Sequence, residues 1–224
     1  MADKILKLEA DAPMGGCCAP RARPRDRIVD TAQDLFHRHG IRGVGVDAIA
    51  EAAGTNKMTL YRHFRSKDDL IIEYLNYKGK KSDEIWSEIA AENPGDPVGQ
   101  LRSFIHVVAR YIAEDERGCD LANAATELSE ADHPARRVIE EFKARQRARL
   151  VDLCRAAGAA PAEVLADTLA LLIEGARVNR RSLGVEGPSA TLVRACEAIL
   201  ATFGVDLGVK PERAVSAPVT EPSP

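Results

Sequence analysis

Apolar residues recur along most of this chain at spacings of three and four, which is the period of an α-helix with one buried face. The first such segment ends before Gly40, a residue type that favours the backbone of a helix terminus. Its apolar face consists of Ile28, Val29, Ala32, Leu35 and Phe36. No segment alternates apolar and polar residues as a strand does, so the pattern predicts an all-α protein of about nine helices.

Proline and capping residues mark where the later helices begin. These helices are predicted over residues 67–91, from Asp96-Pro97 onward, over 119–129, from Pro134 onward, over 161–182 and from Pro188 to Phe203. In the helix over 161–182 the apolar residues cover more than one face, so this helix is predicted to be buried from two sides.

Residues 46–70 (VDAIAEAAGTNKMTLYRHFRSKDDL) predict two short helices joined by a tight turn. Gly54 supplies the left-handed backbone of the turn, and Asn56 is placed as N-cap of the second helix. Leu60 and Phe64 are expected to point back into the core. This is a helix-turn-helix, a motif that places its second helix in the major groove of DNA.

The outward side chains of this motif have the chemistry of DNA contacts. Basic groups neutralise phosphates or read guanine edges, and hydroxyls donate to bases or phosphate oxygens. The candidates are Thr55, Asn56, Lys57, Thr59, Tyr61, Arg62 and His63. Ser66 is predicted to cap the following helix, where Lys67 is a candidate phosphate anchor beside the positive helix terminus.

Charge is distributed unevenly along the chain. The net charge of −3 combines +5 over residues 21–81 with −8 over the remainder. A basic segment suits a polyanionic partner, although chance segregation of surface charge gives the same pattern.

The remaining composition is that of an ordinary cytoplasmic protein. At 224 residues, 45% hydrophobic, the chain has no apolar run of membrane-spanning length, and residues 1–20 do not resemble a signal peptide. Residues 1–22 are predicted to be a flexible arm and 208–224 a disordered tail. The five cysteines lack the spacing of a zinc site. Cys17 and Cys18 are adjacent, Cys196 fits a helix core, and Cys119 and Cys154 are either buried and inert or redox sensors.

Many residues at fixed spacings resemble the N-terminal domain of the tetracycline-repressor (TetR) family over about residues 23–75. They are Phe36, Gly40, Asp47-Ala48-Ile49-Ala50, Ala53-Gly54, Thr59-Leu60-Tyr61, His63-Phe64 and Ser66-Lys67-Asp68-Asp69-Leu70. The resemblance implies a DNA-binding domain over 23–70, with its motif at 45–64, and a helical effector-binding and dimerisation domain over 71–207.

The resemblance also implies a function: a homodimeric regulator, usually a repressor, released from a palindromic double-stranded operator by a small-molecule effector, with no cofactor. The dimer would form through the helices over 161–182 and 188–204. Two-fold symmetry would place the recognition helices about 34–36 Å apart, or somewhat more, in successive major grooves.

Two positions depart from the family pattern. Gly45 stands where relatives usually have a hydroxyl residue that caps the motif's first helix and touches phosphate; glycine still caps, and Arg42 is a candidate to replace the lost contact. Met58 replaces a small residue early in the recognition helix.

An effector pocket is expected among polar and aromatic residues on the apolar C-terminal helices. The candidates are Trp86, His106, Tyr111, Asn123, Glu127, Glu174, Arg177 and Asn179. Each of them, taken singly, also fits an ordinary core or surface role. The stretch Arg117-Gly118-Cys119, with Asn123 after it, resembles a recurrent family segment and is interpreted first as a structural turn.

Two other functions are weighed against the regulator. A helical enzyme or metal protein is disfavoured because the chain has no Gly-rich phosphate loop, no His-x-x-x-His pair and no Gly-x-Ser-x-Gly elbow. A DNA-binding scaffold without ligand response remains the milder alternative.

Overall fold

The computed structural model describes residues 23–205, and every regular element within that range is helical. The helices are α1 (Pro24–His39), α2 (Val46–Ala52), α3 (Lys57–His63), α4 (Lys67–Glu92), α5 (Pro97–Glu114), α6 (Asp120–Glu127), α7 (Ala135–Ala156), α8 (Ala162–Leu183), a 3₁₀ turn (Pro188–Thr191) and α9 (Leu192–Thr202). The prediction of an all-α fold with an N-terminal helix-turn-helix is therefore confirmed.

Local signals set the helix ends much as the sequence predicts. The side chains of Asn56, Ser66 and Asp96 accept the backbone N–H of Thr59, Asp69 and Gly99 respectively. These bonds satisfy donors that the first turn of a helix leaves unpaired. The start at Pro188 differs from the expectation, because a 3₁₀ turn precedes α9.

The first core holds the helix-turn-helix together. Ile28 of α1, Ile49 of α2 and Leu60 of α3 are fully buried in it, with Leu70 and Leu75 of α4. Residues from α6 and the first half of α7 complete the same core: Leu121, Ala124, Leu128, Ala135, Ile139 and Phe142. The three N-terminal helices therefore share one core with α6 and α7, and α4 is the helix that packs against both α6 and α7.

A second core lies among α5, α7, α8 and α9, and its fully buried side chains include Leu101, Leu165, Leu169 and Leu200. The helix α4 is long enough to belong to both halves, since its first part packs in the first core and Trp86 packs against the second. The predicted domain boundary at residue 70 falls inside this continuous helix and stays a prediction.

Helix α8 is buried on one side only within a single chain. Its inner side carries Leu165, Leu169 and Ile173, whereas Val164, Leu171 and Val178 are 51%, 74% and 66% exposed. The expectation of burial from two sides is therefore not met within one chain, and an apolar face of α8 has no covering element among residues 23–205.

The predicted arm at 1–22, with Cys17 and Cys18, and the predicted tail at 208–224 lie outside the described residues. Across 23–205, no helix combines the length and apolar character needed to cross a membrane.

Candidate DNA-binding surface and effector cavity

Helix α3 divides into a buried side and an exposed side. Leu60 is completely buried and Phe64, at the C-cap, nearly so, which fixes the rotation of the helix. Lys57, Met58, Tyr61, Arg62 and His63 are exposed, whereas Thr55 and Thr59 are partly buried. Three of the exposed residues are basic or imidazole groups. The result is a short helix that presents hydrogen-bond donors to solvent.

Among the residues that the structure describes, the exposed Lys57 side chain of this surface is held only by one exposed ion pair. The Lys57 ammonium lies 3.0 Å from the carboxylate of Asp47 on α2, and both side chains are more than half exposed. An exposed pair of this kind contributes little to stability, so a phosphate group competes easily for the lysine. Proximity to Asp47 raises the pKa of Lys57, which keeps the ammonium charged.

The turn that precedes α3 has the predicted geometry. Gly54 has a φ of +62°, and the Asn56 side chain accepts the Thr59 N–H at 2.9 Å. Asn56 is therefore committed to capping through its oxygen, and its NH₂ group is what it offers outward. At the start of α2, Gly45 is exposed, and a Cβ added there would meet nothing within 4 Å.

Two of the residues predicted to bind DNA, Lys67 and Arg42, have side chains that bond to other parts of the protein. The Lys67 ammonium donates to the Ile41 carbonyl at 2.6 Å and lies over the Phe36 ring, and partial burial lowers its pKa. Its role here is to tie α4 to the loop after α1, rather than to stand free as a phosphate anchor.

Arg42 is the second. Its guanidinium donates to the Glu127 carbonyl and pairs with the Glu130 carboxylate, both beyond α6 or at its end. The interpretation of Arg42 as a replacement phosphate contact therefore does not fit this arrangement. These contacts of Arg42 could not be predicted from neighbouring residues, because the partners lie 85 and 88 residues away.

A cavity of about 640 Å³ lies among α1, α4, α5, α6, α7 and α8. This is an ordinary volume for a small-molecule site. Its apolar wall consists of Ile85, Trp86, Phe104, Val107, Val108, Leu121, Phe142, Leu150, Ala170 and Ile173. The indole of Trp86 stacks on the Phe104 ring, with centroids 4.5 Å apart.

Four of the sequence-derived pocket residues line this cavity: Trp86, Tyr111, Glu174 and Arg177. His106 does not, because it is exposed on the side of α5 opposite the core. Asn123 and Asn179 instead bond the carbonyls of Arg117 and Gly175. Those three positions are corrected to surface and structural roles.

Glu127 also lies outside the cavity. Its carboxylate accepts the backbone N–H of Arg42 at 2.9 Å, so it contacts the helix-turn-helix half of the molecule. The interpretation of Glu127 as a pocket residue is corrected accordingly.

The cavity also contains functional candidates that the sequence reasoning missed. Gln146 lies between Phe142 and Leu150 at steps of four on α7, so it occupies the buried stripe of that helix. A polar residue on the buried face of a helix is a signal from which a pocket residue can be predicted. His37 of α1 is the second missed candidate. It is recognised only by its carboxylate partners, which lie far away in the sequence.

At the α1 end of the cavity, His37 lies between two carboxylates. Its Nδ1 is 2.7 Å from Asp120 and its Nε2 is 3.4 Å from Asp115. Hydrogen bonds to Asp115 and Asp120 raise the pKa of His37 to about 9, so the ring is protonated at neutral pH. Although burial acts to raise the pKa of Asp120, the bonds from His37, Lys78 and Tyr74 outweigh it and hold that pKa at about 2.

The cysteines divide into two kinds. Cys154 and Cys196 are fully buried, and desolvation raises the pKa of each thiol to about 11, as expected of inert core residues. Cys119 is only partly buried and lines the cavity, so the expectation that it is buried is wrong. In the described range, no three His, Cys, Asp or Glu side chains are grouped so as to hold a metal ion.

Comparison with known proteins places the chain in a class. Residues 28–74 match the family model for bacterial regulatory proteins of the tetR family. The regulator AcrR of Shigella flexneri is 35% identical over 94 residues, 42% of this chain and 44% of that protein. The activator FasR of Mycolicibacterium smegmatis is 31% identical over 101 residues, 44% of this chain and 45% of that protein. The chain thus aligns with less than half the length of these relatives.

Similarity to a solved structure extends further. A TetR-family transcriptional regulator from Streptomyces coelicolor superposes with a TM-score of 0.75 at 28% identity, covering 80% of this chain and 95% of that one. A helix-turn-helix on a helical body is the architecture of these transcriptional regulators. Residues 28–74 thus match the DNA-binding domain of the TetR family, and the described helices share the fold of a TetR-family transcriptional regulator.

Proposed function

We propose that this protein is a cytoplasmic transcriptional repressor that binds a palindromic double-stranded operator as a homodimer and is released by a small-molecule effector. The observation that carries the proposal is the orientation of α3. Leu60 is fully buried, so Lys57, Tyr61 and Arg62 all face solvent. A helix anchored in this way offers base and phosphate donors without rearranging its own core.

The dimer part of the proposal rests on the exposed side of α8. Val164, Leu171 and Val178 are seven residues apart and therefore lie along one helix face. Three large apolar side chains exposed along one helix face are typical of an interface with another chain. A second copy related by two-fold symmetry would cover it and place two α3 helices on one side of the assembly.

The effector part rests on the cavity and on α6. The first turn of α6, at Asp120 and Leu121, lines the cavity, while its last residue, Glu127, bonds the loop that precedes α2. A ligand that shifts α6 therefore acts on the orientation of the helix-turn-helix. Coupling of a few kcal/mol suffices for release.

The test is selection of DNA by the pure protein. Sequencing of fragments retained from a sheared genomic library should yield a motif with two-fold symmetry whose half-sites are about one helical turn or slightly more apart. Failure to enrich any sequence at low salt would contradict the proposal. A transcription assay on the selected operator then shows whether the protein represses or activates transcription. Activation would replace repression in the proposal.

A further inference from the structure

We propose that the cavity binds an apolar ligand carrying one carboxylate, which Arg177 and Gln146 recognise. This deepens the proposed function, since it names the chemical class of the effector. The inference rests on two donors in the cavity wall that have no acceptor within the protein. A buried donor without an acceptor is costly, and both of these donors belong to residues that line the cavity, so an acceptor on a bound ligand would remove that cost.

The first donor is the Arg177 guanidinium. Its Nε is buried and has no hydrogen-bond partner, and no carboxylate among residues 23–205 forms an ion pair with it. Its stem packs against the turn before α6, because a Cβ at Gly118 would lie 3.8 Å from the Arg177 Cβ. The cation is thereby held at the cavity wall.

The other basic groups of the cavity differ from Arg177, because they have acidic partners. The Lys143 ammonium lies 2.6 Å from Glu174, and Arg147 makes two bonds of 2.7 and 2.8 Å to Asp167. Lys78 and His37 share Asp120, at 3.1 and 2.7 Å. Among the basic groups of the wall, Arg177 therefore has no carboxylate partner within residues 23–205, which suits an anionic ligand group at its position.

The second donor is the side-chain amide of Gln146. Its Oε1 accepts the indole N–H of Trp86 at 2.6 Å, and because that N–H can only donate, the amide orientation is fixed. The Nε2 group is then the free end, and it is buried without a partner. Since Nε2 can only donate, it too requires an acceptor.

The rest of the ligand is expected to be apolar, because the remaining cavity wall is apolar. The stacked rings of Trp86 and Phe104 form a flat wall beside the Gln146 amide. Val107, Val108 and Ile173 extend the apolar surface. A flat hydrocarbon body with a carboxylate at one end satisfies both the wall and the donors, because Arg pairs with carboxylate through two parallel bonds.

The experiment uses the single tryptophan of the chain as the reporter. Because Trp86 forms the cavity wall, its fluorescence on excitation at 295 nm changes when the cavity fills. The probes are 4-butylbenzoate, 4-butylbenzyl alcohol and 4-butylbenzylamine, which share a body and differ in charge. We expect the full-length protein to bind the carboxylate at least tenfold more tightly than the alcohol, and the ammonium more weakly than either.

Three variants test which side chains bind the carboxylate. Arg177→Met should weaken carboxylate binding at least tenfold and leave alcohol binding within threefold of the parent. Gln146→Glu keeps an acceptor for Trp86 but replaces the free donor by a negative charge, so it should also weaken the carboxylate at least tenfold. Arg181→Met is the matched control, because Arg181 is exposed on the same helix and does not line the cavity.

Equal binding of the three probes to the unmodified protein, no binding of any of them, or unchanged carboxylate preference in Arg177→Met would overturn the inference. The unmodified protein suffices for the first two outcomes, so a variant that fails to fold does not rescue the idea. DNA binding is measured separately, without probe. If the unmodified protein binds DNA but shows no preference for the carboxylate, only the proposed ligand class is wrong. If the unmodified protein does not bind DNA, the proposed function is wrong.

Discussion

The backbone N–H of Arg42 donates to the Glu127 carboxylate at 2.9 Å, which joins the loop before α2 to the end of α6 across 85 residues of sequence. The neighbouring Gly40 lies so close that a Cβ there would approach the same carboxylate to 2.8 Å. Because the other end of α6 lines the cavity, this contact connects the candidate effector site to the candidate DNA-binding surface by one short helix.

Removal of that carboxylate should loosen the connection. We expect Glu127→Ala to lower the free energy of unfolding by about 1 kcal/mol, because one hydrogen bond to a charged acceptor is lost at a partly exposed site. The same variant should reduce the change in DNA affinity that a bound effector causes. Urea denaturation and fluorescence anisotropy with labelled operator measure the two effects.

Glu130→Ala is the control for this prediction. Glu130 pairs with the Arg42 side chain where both groups are more than half exposed, so its loss should change the free energy of unfolding much less than the loss of Glu127 does. Equal losses of effector response in the two variants would contradict a specific role for Glu127.

Stability should depend on pH through His37. Its pKa is about 9 in the folded protein against 6.5 for a free histidine, so the stabilisation is complete below about pH 6.5 and is lost as pH rises through 9. The loss should be on the order of 2 kcal/mol, since one pKa unit corresponds to about 1.4 kcal/mol and solvent screens part of the interaction. Urea unfolding at pH 6 and pH 9 measures it.

His37→Gln should abolish most of this difference between pH 6 and pH 9, whereas His39→Gln, at an exposed position on the same helix, should retain it. On the acid side, the low pKa of Asp120, about 2 against 3.8, stabilises the fold above about pH 4, and that contribution disappears as pH falls toward 2. A His37→Gln protein with an unaltered alkaline slope would show that another group controls it.

Position 45 should accept a hydroxyl residue. Gly45 has a φ of −87°, which any residue adopts, and open space where a Cβ would lie. We expect Gly45→Ser to stabilise the fold by roughly 0.5–1 kcal/mol, because serine caps α2 and restricts the unfolded chain. Its hydroxyl should also strengthen operator binding severalfold by adding a phosphate contact.

Gly45→Ala separates the two effects of the serine, since alanine restricts the unfolded chain but carries no hydroxyl. Thermal unfolding and operator titration compare the variants. If alanine strengthens DNA binding as much as serine does, the phosphate contact is not the cause.

The exposed face of α8 should control the oligomeric state. We expect Leu171→Glu to convert the protein to a monomer of 24.3 kDa in sedimentation experiments, because a buried glutamate pair in a symmetric interface is strongly unfavourable. Operator binding should fall with it. Ala144→Glu, at an exposed position on α7, should leave both properties unchanged; a Leu171→Glu protein of unchanged size would place the dimer interface elsewhere.

Signals within a few residues of each other predicted most of the fold. Asn56, Ser66 and Asp96 cap the helices that follow them, and Gly54 forms the turn, because each acts on backbone groups three or four residues away. In α5 the apolar residues Leu101, Ile105, Val108 and Ile112 recur at steps of three and four and are buried, and His106 lies off that face. Its exposure was therefore predictable from helix phase alone.

Long-range partners were not predictable in the same way. Nothing near Lys67 indicates that its ammonium bonds Ile41, 26 residues earlier, and nothing near Arg42 points to α6. The identity of a side chain limits its chemistry, but which partner it meets depends on how helices pack. Part of the cavity lining could be predicted for this reason. Gln146 lies on a stripe of buried residues within its own helix, so its position follows from the local pattern. The acids around His37 come from a different helix and loop, so their approach to His37 does not.

The central claim is that the outer side of α3 binds DNA, and the salt dependence of operator affinity tests it most directly. Arg62 is exposed on α3, and Arg137 is an equally charged, exposed residue on α7. If Arg62 contacts phosphate, Arg62→Ala should weaken binding about tenfold and lower the slope of log affinity against log salt by about 1, whereas Arg137→Ala should change neither. Identical slopes and affinities for the parent, Arg62→Ala and the matching Lys57→Ala variant would contradict the claim.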